Sequence, residues 1–300
     1  MSLLDSLIAQ ITSINKLQQK FLESSINKLT SDDIASLEAY LKYCINNDLT
    51  LVYLAKCYDL IVKDTLREQI YFKKSGSYRY SSYRDVAGLV YHNDEYMKMY
   101  MHGLALTAFL WPNHAMMMSY FRNTIPRDKS GNYVEIGPGH GFYFMEAMRL
   151  SAYEKYYGID LSPTSVLMTN ALLKSKSFGD FSNFKIEEGD FFKWNTQQKF
   201  DAVVMGEVLE HVESPELFLR KIAEITGAES YIFVTTCINS PAIDHIYLFK
   251  DYDQINDIID VSGLYIKDKL LIPYNNLTLE DSTRQKLPIN VAVVLGNKNE

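Results

Sequence analysis

Val134-Glu135-Ile136-Gly137-Pro138-Gly139-His140-Gly141-Phe142 is the stretch on which the reading of this chain turns. A short apolar run of strand type leads straight into three glycines at alternate positions, and a helical segment follows. Glycine is required where a chain turns sharply and a ligand comes close to the backbone with no Cβ in the way. The spacing is GxGxG. The dinucleotide fingerprint GxGxxG calls for its third glycine at position 142, which here is Phe142.

Further short apolar runs follow at 156–159, 184–187, 202–205 and 231–235, most of them separated by helical segments. Strands and helices alternating at this length predict an α/β domain whose parallel sheet is covered on both faces. Runs at 264–271 and 289–295 predict a closing antiparallel pair at the sheet edge. The second strand ends in Gly158-Ile159-Asp160-Leu161-Ser162. A carboxylate there can accept both hydroxyls of a ribose, as it does in dehydrogenases, or it can cap the helix that Ser162-Pro163 begins. After the third strand comes Glu188-Gly189-Asp190-Phe191-Phe192. An acid at this place can accept from an adenine amine, and Phe191 offers a ring. The fourth element, 200–212, ends in Gly206-Glu207-Val208-Leu209-Glu210-His211-Val212.

These four elements, in this order over residues 130–240, resemble the class I S-adenosylmethionine-dependent methyltransferases of the small-molecule type. The resemblance implies a Rossmann-like sheet with an antiparallel edge strand, with S-adenosylmethionine as cofactor and S-adenosylhomocysteine as product. It implies that Gly137, Pro138, Gly139, His140 and Gly141 meet the methionine end, and that Asp160, with Leu161 beside it, meets the ribose. Asp190 and Phe191 then meet the adenine, and Glu135 lies near the cofactor amine. The segment with Glu207 passes the sulfonium into the acceptor pocket.

Methyl transfer needs the acceptor positioned and, where it bears a proton, a base near neutrality, which favours histidine. His211 lies four residues after Glu207, so a helix there would put both on one face with Glu207 orienting the imidazole. The alternative is that His211 only packs the strand–helix junction. His245 follows the fifth strand, as a base or as an exposed loop residue; His114 is a lid residue or part of a turn. Tyr91, Tyr96, Tyr100 and Phe109 cap the cofactor, bind an aromatic acceptor, or form ordinary helical core. No Asp, Glu or His spacing reads as a metal site, so metal-free catalysis is expected.

Upstream the pattern is helical. Leu4, Leu7, Ile11 and Ile14 form one stripe, and Thr30 with Asp33 fits a capping box opening a second helix. From Leu49 two short helices are expected to lead into strands at Ile70-Tyr71-Phe72 and Tyr78-Arg79-Tyr80 around Lys74-Ser75-Gly76. That is a winged-helix pattern, and it resembles the dimerisation domain of many small-molecule O-methyltransferases. The polar stretch 126–131 marks the boundary, giving a helical domain at 1–127 for dimerisation and substrate cover, and a cofactor domain at 128–300.

The bulk properties fit a soluble two-domain chain: 300 residues, 47% hydrophobic, with 22 Tyr and 15 Phe. A net charge of −7 argues against a nucleic-acid partner. Three scattered cysteines support neither disulfides nor zinc. With no membrane-length apolar run and no signal-peptide pattern, a cytoplasmic location is expected. The expected activity is O-methylation of a small organic acceptor by a homodimer. The alternatives are N- or C-methylation, a regulator that binds S-adenosylmethionine without turnover, and a nicotinamide oxidoreductase.

Overall fold

The computed structural model describes residues 2–275 and 277–298. Helices come first: α1 (Leu3–Ile14), α2 (Gln19–Ile26), α3 (Ser31–Asn46), α4 (Leu51–Ser75), α5 (Tyr83–Ala87), α6 (Asp94–Leu110) and α7 (Pro112–Thr124). Strands and helices then interleave: β1 (Asn132–Ile136), α8 (Phe142–Leu150), β2 (Lys155–Asp160), α9 (Pro163–Lys174), β3 (Phe184–Glu188), β4 (Phe200–Gly206) and α10 (Pro215–Ile225). The chain closes with β5 (Thr226–Ile238), α11 (Tyr252–Val261), β6 (Leu264–Ile272), α12 (Leu279–Arg284) and β7 (Ile289–Asn297).

The strands form one sheet in the order β3-β2-β1-β4-β5-β7-β6. β1 to β5 run parallel, and β7 lies antiparallel between β5 and β6. Both expected edge strands are present and pair with each other. Alternate residues feed two cores, as the pleat demands. Tyr133, Ala202, Val204 and Phe233 join a cluster with α8, α9 and the N-terminal helices. Val134, Val203, Met205 and Ile232 join another with α10 and α11.

One buried cluster therefore runs from Leu4 and Leu7 through Phe121 to Phe233 and Ala292, tying the N-terminal helices to one sheet face. Arg122 on α7 adds a polar tie, donating to Asp33 of α3 at 2.6 Å and pairing with Glu146 of α8 at 3.2 Å. Removing one member of such a buried group leaves a charge uncompensated, at a cost of about 3–5 kcal/mol.

The N-terminal region departs from the winged-helix expectation. The two short helices and the first wing strand are one 25-residue helix, α4, and Ile70-Tyr71-Phe72 is its last-but-one turn. Lys74-Ser75-Gly76 is no hairpin; Gly76 ends the helix in the left-handed region at φ 72°. Tyr78-Arg79-Tyr80 forms no strand. The capping box at Thr30 and Asp33 is present as read. No described helix is long and apolar enough to cross a membrane.

Candidate functional site

The glycine loop joins β1 to α8 at the carboxyl end of the parallel strands. Gly137, Gly139 and Gly141 all have positive φ, at 68°, 54° and 83°. A Cβ at Gly137 would lie 2.9 Å from the Val208 Cγ2, and one at Gly141 2.8 Å from the Thr169 Cγ2. At Gly139 a Cβ would meet only the Gly137 carbonyl oxygen and the Met101 sulfur, each at 3.8 Å, so the loop is less tightly walled there than at its other two glycines. Thr169 on α9 donates its hydroxyl to the Gly139 carbonyl at 2.8 Å, and the Phe142 N–H donates to His140 Nδ1 at 3.2 Å.

Asp160, at the end of β2, is buried and faces this loop. It accepts from the Gly139 N–H at 3.0 Å and the Ser162 N–H at 2.9 Å, one on each oxygen. A carboxylate offers about four acceptor positions, so two remain for further donors. Burial raises its pKa to about 6 despite both backbone donors. Glu135 is buried on β1, takes the Tyr133 hydroxyl at 2.5 Å, and burial pushes it up to about 8. The helix capped at this turn uses Ser162, which accepts from the Ser165 N–H.

Asp190 and Phe191 follow β3. Asp190 caps its own turn by accepting from the Phe192 N–H at 2.9 Å and pairs with Lys193 at 3.0 Å. The Phe191 ring is buried beside Phe218 and lies under the Lys221 ammonium at 4.9 Å. Leu161 is exposed next to Asp160. A left-handed glycine loop, a buried carboxylate with spare acceptor capacity and an exposed apolar side chain fit an adenosyl amino acid.

A second group is assembled from distant parts of the chain. His211 Nδ1 lies 3.0 Å from the Asp244 carbonyl oxygen, 3.1 Å from the Tyr91 hydroxyl and 3.5 Å from Asp244 Oδ2. A carbonyl only accepts, so Nδ1 carries the proton and Nε2 keeps its lone pair. Asp244, 1% exposed, accepts from Tyr91 at 3.1 Å and from Tyr100 at 3.0 Å, one on each oxygen. Tyr91 precedes α6 and Tyr100 lies on it, so the N-terminal helices supply hydroxyls to this group. Tyr91 and Tyr100 belong to the aromatic-rich segment noted in the sequence, but Asp244, 153 residues from Tyr91, carries no spacing signal that joins it to them.

Glu207 does not orient His211. β4 ends at Gly206, and Glu207 turns the chain at φ 52° with its N–H held by the Thr235 carbonyl and hydroxyl. Residues 209–211 form a single 3-10 turn, so no helix places 207 above 211. Among the described residues Glu207 Oε1 and Glu210 Oε1 are buried without hydrogen-bond partners, and burial raises both carboxyls. Glu210 Oε2 accepts from Thr236 at 2.7 Å.

His245 is buried, not exposed in a loop, and donates from Nδ1 to the Ser240 carbonyl at 2.6 Å. Burial pushes its pKa down to about 3. His114 lies inside α7, against Trp111 and 3.2 Å from the Thr107 hydroxyl. Tyr96 donates to Asp64 within the N-terminal helices, and Phe109 of α6 packs on Phe142, the first residue of α8 after the glycine loop. Although no sequence spacing reads as a metal site, folding brings ligand atoms of His211, Asp244 and His245, and of Glu210, Cys237 and His245, within 4.8 Å of one another. The hydrogen bonds above already engage both Asp244 oxygens and His245 Nδ1.

A family model described as a methyltransferase domain matches residues 114–262. The ubiquinone biosynthesis O-methyltransferase of Dictyostelium discoideum, described as mitochondrial, is 27% identical, with 53% of this chain and 57% of that protein covered. The ubiquinone biosynthesis O-methyltransferase of a Chelativorans strain is 24% identical, over 54% of this chain and 69% of that protein. The match thus spans little more than half the length of the first relative. The structure of a mitomycin 7-O-methyltransferase superposes with a TM-score of 0.54 at 12% identity, covering 82% of this chain and 70% of that one. At that identity the likeness speaks for the fold.

Proposed function

The chain belongs to the class I S-adenosylmethionine-dependent methyltransferases, and we propose that it methylates a hydroxyl group of a small organic molecule with His211 as general base. The observation that carries the base assignment is the Asp244 carbonyl 3.0 Å from His211 Nδ1. It fixes the tautomer in which Nε2 can take a proton from an acceptor hydroxyl. His211 is partly exposed, at 19% of its side chain, whereas His245 is buried and committed to Ser240.

When bound, S-adenosylmethionine supplies a methyl group already activated on a sulfonium. The chain's own residues position, exclude water and move one proton. Gly137 to Gly141 and Glu135 hold the amino-acid end, Asp160 takes the ribose hydroxyls, and Leu161 with Asp190 and the chain at Phe191 flank the adenine. Asp244 is a positioning residue: its carbonyl and carboxylate hold the imidazole, and its negative charge favours the imidazolium that forms. Tyr91 and Tyr100 hold Asp244 and close the cleft from the N-terminal side. That two curated relatives are O-methyltransferases by name supports oxygen as the methylated atom.

The helices before residue 127 act in this reading as substrate cover and as a self-association surface. Leu17, 89% exposed, with Phe21 and Ile14 nearby on the chain, supports a homodimer. The experiment that tests the reading is calorimetric titration with S-adenosylmethionine and S-adenosylhomocysteine, followed by a screen of phenols and other small hydroxyl compounds. One-to-one binding of both and methyl transfer to oxygen are expected. Folded protein that binds neither would overturn the proposal.

A further inference from the structure

A cavity of about 270 Å³ lies where α3 and α6 face α9. Tyr40, His102, His140, Leu167, Met168 and Ala171 are among its walls, and Glu207, His211 and Asp244 are not. Among the described residues no Asp, Glu, Lys or Arg lines it. Leu167 is 70% exposed, so the cavity opens to solvent.

Two imidazoles give it polarity without charge. His140 Nδ1 accepts the Phe142 N–H, which makes Nε2 the protonated nitrogen and therefore a donor. His102 Nδ1 is engaged with the Tyr40 hydroxyl at 2.8 Å, and among the described residues Nε2 has no partner. Burial holds both rings neutral, at pKa values of about 4. An apolar cavity of roughly 150 Å³ accommodates a benzene, so this one has room for two fused rings.

The walls also touch the glycine loop. His140 belongs to it, and Thr169, between Met168 and Ala171 in the chain, holds the Gly139 carbonyl. We propose that this cavity binds an uncharged, one- or two-ring molecule carrying an acceptor oxygen, and that its occupancy is coupled to cofactor affinity through His140 and α9. The occupant is neutral because a charge would be desolvated here with no counter-charge. It carries an acceptor because the walls offer an imidazole N–H.

The probe is 2-acetylnaphthalene, a ketone with an acceptor oxygen and no hydroxyl to methylate, titrated calorimetrically into the full chain without cofactor. Saturable one-to-one binding is expected, with naphthalene weaker by about 3- to 10-fold for the lost hydrogen bond and naphthalene-2-carboxylate weaker by more than tenfold. Ala171→Trp and Met168→Trp, each checked for a native melting transition, should weaken the ketone more than tenfold by filling the cavity. His211→Ala should leave it unchanged. Saturating ketone should shift the affinity for S-adenosylhomocysteine at least twofold, and the reverse by the same factor. Absent saturation, indifference to both tryptophans, loss in His211→Ala, or no mutual shift would overturn the proposal. None of those results depends on whether an acceptor is ever methylated.

Discussion

The glycine loop and the His211 group lie at the same end of the sheet and are built in opposite ways. The loop is nearly all local: five consecutive residues, with Asp160 added from the neighbouring strand through the Gly139 N–H. The His211 group draws Tyr91 and Tyr100 from the helical layer, His211 from the end of β4 and Asp244 from beyond β5. A local site is written in spacing, because each glycine answers a backbone demand at its own position. An assembled site depends on loop closures over more than a hundred residues, and no pairwise spacing announces it. The comparison predicts that the loop governs cofactor affinity and the assembled group governs turnover.

The largest effect is expected from His211→Ala. Removal of a general base should lower kcat by about 100- to 10,000-fold, while affinity for S-adenosylhomocysteine stays within about threefold. Single-turnover rates with the hydroxyl acceptor, beside calorimetry, measure both. Full turnover would remove His211 from the chemistry and break the division between the two regions.

Asp160→Ala comes next and acts on the other side of the comparison. It removes an acceptor for two ligand hydroxyls and orphans two backbone N–H groups, so affinity should fall by at least about 100-fold, since two hydrogen bonds to a charged group are lost at about 1.5–3 kcal/mol each. The fold should persist, read by the melting transition. Unchanged affinity would refute the ribose placement.

What the sequence showed follows the same line. All five parallel strands and the antiparallel pair were legible, most of them as apolar runs bounded by turn residues, although β3 and β6 carry charged residues within them. The N-terminal wing was misread for a physical reason. The buried face of α4 runs through Ile61, Asp64, Glu68 and Phe72, so two charged residues interrupt the apolar stripe that marks a helix. Those acids are buried because Arg67, Arg79 and Tyr96 meet them, a tertiary fact. Asp244 was passed over likewise: an aspartate beside a histidine after a strand has no signature until the chain folds back upon His211.

Asp244→Asn sharpens the comparison from within. The backbone carbonyl that fixes the His211 tautomer survives, but the negative charge beside the imidazole is lost. Turnover should fall about tenfold as the imidazolium that forms loses its charged partner. Cofactor affinity should hold. An unchanged kcat in this variant would reduce Asp244 to packing.

The smallest effect tests the loop side by titration alone. Burial sets the Asp160 pKa to about 6, above the ordinary aspartate value of 3.8. The carboxylate is therefore ionised above pH 6 and accepts both hydroxyls there; below it the group gains a proton and loses acceptor strength. Affinity for S-adenosylhomocysteine should be about half its plateau at pH 6 and about a tenth at pH 5, by simple titration of one group. The same raised pKa means that ionising Asp160 costs the unliganded fold stability as pH rises through 6. Ligand binding and ligand-free stability should thus move in opposite directions across that window. Glu135, raised to about 8, titrates above it and leaves the acidic limb to Asp160. In Asp160→Asn that limb should flatten; if it persists unchanged, another group sets the pH dependence and the loop is less self-contained than its spacing implies.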